Sequence, residues 1–323
     1  FRRVLFRSVG SGSMATRRME RFAQQSDCQL VALAARNRQT GRELAQRFAA
    51  DLHDDWRALV ERSDLDAILV FTHNELHGAI STAALDSGKH VFSEYPLARH
   101  LDEGSALLAK AQQGNLVLRL AHNEPVSAEH QQLKRETEML GPLYLATFTR
   151  LTPSRGARPD VLFNLQLSGP PTLFFIYHVY PYVDLFGPAC WVESSAEYVG
   201  LQENGRYERF VNTLQVAFEK GGLGQWTWAG GIATSEAEEF ERLVLRGGTL
   251  LYRGGAYHRS TPDGIAQIDF PSEQTHSLES LFLAEVRGES DGWRADLRVA
   301  FDAMHIGLAA EQSARDGCRI RLD

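Results

Sequence analysis

A doubly wound α/β domain followed by an α+β domain with an open, largely antiparallel sheet is the fold this sequence predicts, on three observations. Short apolar runs alternate with helical stretches through the first third of the chain, the rhythm of parallel strands joined by crossover helices. A glycine-rich loop stands between the first candidate strand and the first candidate helix. After about Glu129 the rhythm changes to longer β-type runs. The 323 residues suffice for two cores, divided as 1–121 and 122–323, with the C-terminal helix expected to pack back on the first domain.

The opening FRRVLFRS is the weakest strand candidate. A central parallel strand is buried on both faces and reads as almost wholly apolar, whereas this run carries three arginines in eight positions. It also lacks the charged-then-apolar layout of a signal peptide. The expectation is a truncated, foreign or altered segment in which Val4, Leu5 and Phe6 can still form a short strand. Helices are then expected at 15–25, 42–50, 55–63, 78–87 and 101–113, and strands at 30–34, 67–71, 90–94 and 116–120. In the second half a helix at 128–139 precedes β-runs at 143–151, 213–218, 223–229 and 242–252. Gly221-Gly222 reads as a hairpin turn between two of these runs. Helical segments are expected at 171–186, 277–286 and 295–316.

Composition excludes several classes. A net charge of −7 is the wrong sign for a nucleic-acid binder, and no apolar stretch has the length of a membrane span. Cys28, Cys190 and Cys318 are too few and too scattered for a disulfide framework or a zinc site, which implies a reducing, cytoplasmic setting. No Cys/His cluster with ligand spacing appears among the eleven histidines and three cysteines, so no metal is expected.

Gly10-Ser11-Gly12-Ser13-Met14-Ala15 matches G-x-G-x-x-A. In that motif the first glycine allows a tight turn and the second lets a pyrophosphate approach the backbone. The small third residue packs helix on strand, and the helix N-terminus offers unpaired N–H groups. GSGSM also reads as a tag linker, but the helix and strand that follow have the spacing of a βαβ unit. The implied fold is the dinucleotide-binding Rossmann domain. Its ribose-binding carboxylate is missing, because the run after the second strand is Ala34-Ala35-Arg36-Asn37. Arg36 and Asn37 suit a 2′-phosphate, which favours NADP(H) and leaves NAD(H) open.

Further runs carry a family resemblance. Phe71-Thr72-His73-Asn74-Glu75-Leu76-His77, then Gly88-Lys89-His90-Val91, then Glu94-Tyr95-Pro96-Leu97-Ala98 resemble the Gfo/Idh/MocA oxidoreductases, with their T-P-N-x-x-H loop and E-K-P-L-A run. The resemblance implies that Thr72, His73, Asn74, His77 and Glu94 border the cofactor, and that the chain is a homo-oligomer. The family's lysine is Tyr95 here, and its G-x-H-x-x-D histidine falls on Pro181. Without either base, oxidation of a sugar hydroxyl is disfavoured. The E-Y-P variant, Asn74 to Ile80, and Asp184-Leu185-Phe186-Gly187 are similar to the cyanobacterial-type biliverdin reductases. Those reductases carry arginines just before D-L-F-G that act on the bilin, and this chain has none there.

The expected activity is therefore hydride transfer to a C=C or C=N bond of a conjugated small molecule. Imine or carbonyl reduction and a non-catalytic cofactor-binding homologue are the alternatives. Tyr95 is the candidate proton donor, since a phenol of pKa about 10 is an acid at neutral pH; it reads equally as an aromatic wall. His178, with an intrinsic pKa of about 6.5, is a second donor or else a core residue. Glu124, Tyr177, Tyr180 and Asp184 are the candidate substrate residues, grouped around a site expected between Tyr95 and the 177–180 segment. The aromatic run from Phe174 to Tyr182 reads as core packing or as a stacking surface for a flat substrate.

Overall fold

The computed structural model describes residues 3–153, 159–270 and 276–322; Phe1 and Arg2 of the arginine-rich start lie outside them. In chain order the first elements are β1 (Val4–Val9), α1 (Ser13–Ala23), β2 (Cys28–Ala34), α2 (Arg38–Phe48), β3 (Asp51–His53) and α3 (Trp56–Val60). Then come β4 (Ala67–Val70), α4 (His77–Asp86), β5 (His90–Ser93), α5 (Leu101–Gly114) and β6 (Leu118–Leu120). The second half has α6 (Ala128–Leu140), β7 (Leu143–Thr152), α7 (Pro159–Leu162), α8 (Pro171–Phe174), α9 (Tyr180–Phe186), β8 (Ala189–Val199), β9 (Arg209–Phe218) and β10 (Leu223–Gly230). It ends with β11 (Glu238–Leu245), β12 (Gly248–Arg253), β13 (Ala256–Thr261), β14 (Gly264–Gln267), α10 (Leu278–Val286), α11 (Trp293–Asp316) and β15 (Ile320–Arg321).

The chain forms two compact units, each drawn from two stretches: Phe1–Val126 with Thr275–Phe301, and Ser127–Gln274 with Asp302–Asp323. The first unit holds a six-stranded parallel sheet in the order β3-β2-β1-β4-β5-β6, the doubly wound arrangement. Strand β4 is buried on both faces, which is why it is the unbroken apolar run Ala67–Val70. Phe22 of α1 sits at the centre of an aromatic cluster, 5.0 Å from Phe6, 5.3 Å from Phe92 and 6.0 Å from Phe282 of α10.

The opening segment makes a longer strand than its composition suggests. Val4, Phe6 and Val9 supply buried contacts, and β1 pairs with both β2 and β4. Arg7 and Ser8 are carried into the core with them, each 0% exposed. The Arg7 Nη1 donates to Leu59 O at 3.2 Å, Nη2 lies 3.9 Å from Asp64, and Nε has no hydrogen-bond partner among the described residues. A buried guanidinium so incompletely matched loses more in desolvation than it recovers. Arg7→Met keeps most of the side-chain volume and should raise unfolding free energy by roughly 1–3 kcal/mol in urea titration. An unchanged or lower midpoint would show that Arg7 stabilises the strand.

The second unit holds a nine-stranded sheet, β14-β13-β12-β11-β7-β10-β9-β8-β15, antiparallel at every pair except β7 with β10. The β9–β10 hairpin turns on Gly221 and Gly222, at φ 93° and 88°. Two expected elements are divided. The run 242–252 is two strands, β11 and β12, separated by Arg246-Gly247, and Gly248 at φ 157° closes on Ser260 O, where a Cβ would lie 2.4 Å away. The run 171–186 is α8, a 3-10 turn (Ile176–His178) and α9, because Pro181 has no N–H to continue a helix and instead stands in the first turn of α9. Among the described residues no helix is long and apolar enough to cross a membrane.

Candidate active site

The glycine loop is built for an anion. Gly10 has φ +119° and donates its N–H to Ala34 O at 2.9 Å; a Cβ there would lie 2.2 Å from Phe71 O, so only glycine fits. Gly12 is the N-cap of α1 in an extended conformation, with no side-chain cap and no acidic residue in the first turn. Ser13 and Met14 stand exposed at this helix end. Its first-turn amides and positive dipole end fit a pyrophosphate.

Past the end of β2, Arg36 is exposed, with Nη1 3.4 Å from His73 Nε2. Asn37 is used otherwise: its Oδ1 accepts from the Gln39 and Thr40 N–H groups at 3.0 and 3.1 Å as the cap of α2. Arg36 is therefore the better placed of the pair to meet a phosphate. In the next loop the Thr72 hydroxyl donates to His73 O at 3.1 Å, and Asn74 opens a single 3-10 turn. His77 is fully buried, with Nδ1 2.9 Å from Pro96 O and Nε2 3.2 Å from Thr72 O. Burial holds the ring below the usual histidine range, so its one N–H serves one carbonyl at a time. His77 thus braces the loops after β4 and β5 against each other.

Sequence reasoning passed over Arg18. It lies on the buried stripe of α1 with Ala15, Met19 and Phe22, 4% exposed. Its Nε donates to Glu94 at 3.4 Å, Nη1 to Glu279 of α10 at 2.8 Å, and Nη2 to Ala121 O at 3.4 Å. The guanidinium also lies 5.6 Å over the Phe92 ring. Burial raises the Glu94 carboxyl above its usual range against the pull of Arg18. The signal in the sequence was a charged residue at helical spacing among apolar ones.

Next to Glu94, the Tyr95 ring stacks on His122, centroids 5.0 Å apart and planes 22° apart, and the Tyr95-Pro96 peptide is cis. His122 follows β6 and is 3% exposed; burial, with the Arg119 charge, pushes its pKa down to about 3. Arg119 is itself held by Glu285 and by Asp296 at 2.8 Å. Glu124 lies on a 3-10 turn just beyond.

In the second unit, His178 packs between Phe148 at 4.5 Å and Tyr177 at 4.0 Å, stacked on Phe175 at 5.5 Å. Burial, helped by the Arg150 charge, holds it well below the usual histidine range. The ordinary pKa expected from the sequence does not apply, because the ring is enclosed by aromatic groups; at neutral pH it is uncharged. Burial pushes the Tyr177 phenol up to about 12. Tyr180 is core, 1% exposed. Asp184 is half-buried, which alone would raise it, but the hydrogen bond from His130 Nε2 at 2.7 Å and Lys134 at 3.3 Å hold it below the usual carboxylate range. Its oxygens are engaged by α6.

Residues 5–122 match the family model described as "Oxidoreductase family, NAD-binding Rossmann fold". Over these residues the chain is similar to the Gfo/Idh/MocA oxidoreductases. The scyllo-inositol 2-dehydrogenase (NADP(+)) of Bacillus subtilis is 25% identical over 192 residues, 57% of this chain and 58% of that protein. The chain thus spans less than two thirds of that relative's length. Among solved structures, biliverdin reductase from Synechocystis sp. PCC 6803, in complex with biliverdin and NADP+, aligns over 97% of this chain and 99% of its own with a TM-score of 0.83 at 23% identity. A levoglucosan dehydrogenase complexed with NADH and L-sorbose covers 100% of both chains, TM-score 0.80, at 17% identity. At such identities the likeness is one of fold.

Where the resemblance places a lysine, this chain has a phenol stacked on a neutral imidazole. That imidazole has a measurable signature. An unfolded histidine takes up a proton near pH 6.5, whereas His122 in the folded chain does so only near about 3. Between those values the unfolded state binds more protons, so stability present in full above about pH 6.5 is lost as pH falls. His122→Phe removes this loss. Its stability relative to the parent should grow by up to about 1.4 kcal/mol per pH unit below 6.5 in urea titrations. A pH-independent difference would show that His122 is not buried neutral.

Proposed function

We propose that this chain is a nicotinamide-dependent reductase that delivers a hydride to a C=C or C=N bond of a conjugated small molecule, with NADPH preferred and a biliverdin-like tetrapyrrole the first substrate to test. The observation that carries this reading is the stack of Tyr95 on His122, beside buried Glu94, at the position of the family's lysine. The bound nicotinamide supplies the hydride; the protein must orient the acceptor and provide a proton. Tyr95 is the proton donor in this reading. A phenol is a proton source at neutral pH and a poor base, so reduction is the direction it assists. His122, kept neutral, fixes the plane of the Tyr95 ring without taking its proton. In the second unit Tyr180 and Asp184 shape the segment carrying Tyr177, and neutral His178 adds a stacking face rather than a charge.

Arg36 supports the NADPH preference, as an exposed guanidinium beside His73 with no carboxylate in the run after β2. A second copy of the chain is the expected partner: Val211, Leu223 and Phe240 stand exposed on β9, β10 and β11, on the face opposite Trp226 and Leu214.

The deciding assay follows NADPH oxidation at 340 nm with biliverdin, then with cyclic imines and conjugated carbonyls. Tyr95→Phe should lower kcat by about 10²–10⁴-fold and leave NADPH affinity unchanged. A rate within about threefold of the parent would remove Tyr95 from the proton step. NADPH binding without oxidation by any acceptor would make the chain a cofactor-binding homologue instead. Arg36→Ala should raise the Kd for NADPH about tenfold or more and leave that for NADH unaltered; equal losses for both cofactors would overturn the 2′-phosphate role.

A further inference from the structure

Two rows of side chains cross the inner face of the nine-stranded sheet. Strand register places Asn212, Trp228, Arg150 and Glu239 side by side on β9, β10, β7 and β11. The adjacent row is Leu214, Trp226, Phe148 and Glu241. Trp226 and Trp228 are 0% exposed, so this end of the face has a closed aromatic floor. Above it, the His178 ring lies 4.5 Å from Phe148 and 6.3 Å from Trp228, with Tyr177 4.0 Å from His178.

A row built only to pack would carry aliphatic or aromatic groups throughout. This row instead ends in two full charges, Arg150 and Glu239, with the Arg150 side chain 32% exposed. Its hydrogen-bond partner among the described residues is Glu239, which meets Nη1. A guanidinium has five N–H donors in a planar fork, so one carboxylate on one nitrogen leaves most of that capacity unused. Two ring nitrogens near Arg150, Trp228 Nε1 and His178 Nδ1, have no hydrogen-bond partner among the described residues. The Arg150 charge also acts on both His178 and Tyr177, drawing the pKa of each downward. Arg150 is thus a cation with spare donors, set at the edge of partly exposed aromatic faces.

We infer that Arg150 anchors a carboxylate of the substrate, and that the substrate is a planar conjugated acid lying against Tyr177 and His178 while Glu239 shares the guanidinium. The inference rests on the reductase reading and names its substrate class. Planarity suits ring faces that stack without induced fit. The acid group suits an arginine fork better than a lysine, because two parallel N–H···O bonds fix orientation as well as charge. Glu239 sets the affinity. It neutralises Arg150 when the site is empty and repels a second carboxylate when the site is filled.

The test uses the full chain loaded with NADP+, so that binding is read without turnover, and compares biliverdin with its dimethyl ester by absorbance titration. The diacid should bind the parent at least about tenfold more tightly than the ester. Arg150→Met should erase that difference, Arg150→Lys should restore part of it, and Glu239→Gln should strengthen diacid binding. Equal affinity of acid and ester for the parent, a diacid Kd for Arg150→Met within threefold of the parent, or no saturable diacid binding would each overturn the anchor. Arg150-dependent binding of the diacid with no NADPH oxidation in the parallel assay would keep the anchor and overturn the reductase reading.

Discussion

Arg18 is one cation shared by two carboxylates at the middle of the nucleotide-binding unit. A guanidinium taken out of water loses several kcal/mol of hydration, which close, hydrogen-bonded partners must offset. Those partners come from three places distant in the chain: Glu94 after β5, Ala121 O after β6, and Glu279 on α10. Their geometry constrains the elements that carry them. The helix that presents the glycine loop, the strand end that presents Tyr95, and the strand end that presents His122 are tied to one group. Residues from far along the chain are therefore part of this unit's core, an arrangement repeated where Arg119 of β6 holds Glu285 and Asp296.

The same charge balance sets the character of the residues beside the candidate donor. With both Glu94 and Glu279 buried and Arg18 the buried cation between them, a second full negative charge is costly. Arg21 is 4.0 Å from Glu279 but 57% exposed, where water screens it. The balance is relieved on the Glu94 side, whose carboxyl is pushed upward. His122 obeys the same rule with the opposite sign, since a buried imidazole near Arg119 avoids charge by staying neutral. Tyr95 stacks on His122, whose neutral imidazole is no strong base. An enzyme that strips a proton from an alcohol needs such a base; one that gives a proton to a reduced product does not.

The parts of the fold legible in the sequence were those governed by local periodicity. Strands β4 and β5 are buried on both faces, and their apolar runs show it. β1 was obscured because Arg7 and Ser8 break the run, although Phe6 and Val9 secure the pairing. The division of 242–252 depended on backbone at Gly247 and Gly248 that no apolar pattern reveals. Asn37 carried a legible cap signature, its side chain meeting the N–H groups two and three residues on, yet it was first read for its chemistry. Arg18 and Glu279 are 261 residues apart, and nothing local in either names the other.

Arg150 shows a different limit. In Thr149-Arg150-Leu151 a charged residue on a strand reads as the solvent-facing half of an alternation. What reverses that reading is register: Trp228 on one side and Glu239 on the other are visible only once β10 and β11 are paired to β7. The bilin-type reductases suggested arginines in the segment before Asp184, and that segment here is aromatic, with Asp184 bound to His130 and Lys134. A cation is nevertheless present on the strand beneath that segment, facing the same rings. A binding surface needs a charge at a place in space, and a sheet can deliver it from any strand whose alternation points inward there. The absence of arginine from one stretch of sequence therefore says little about whether an acid can be held.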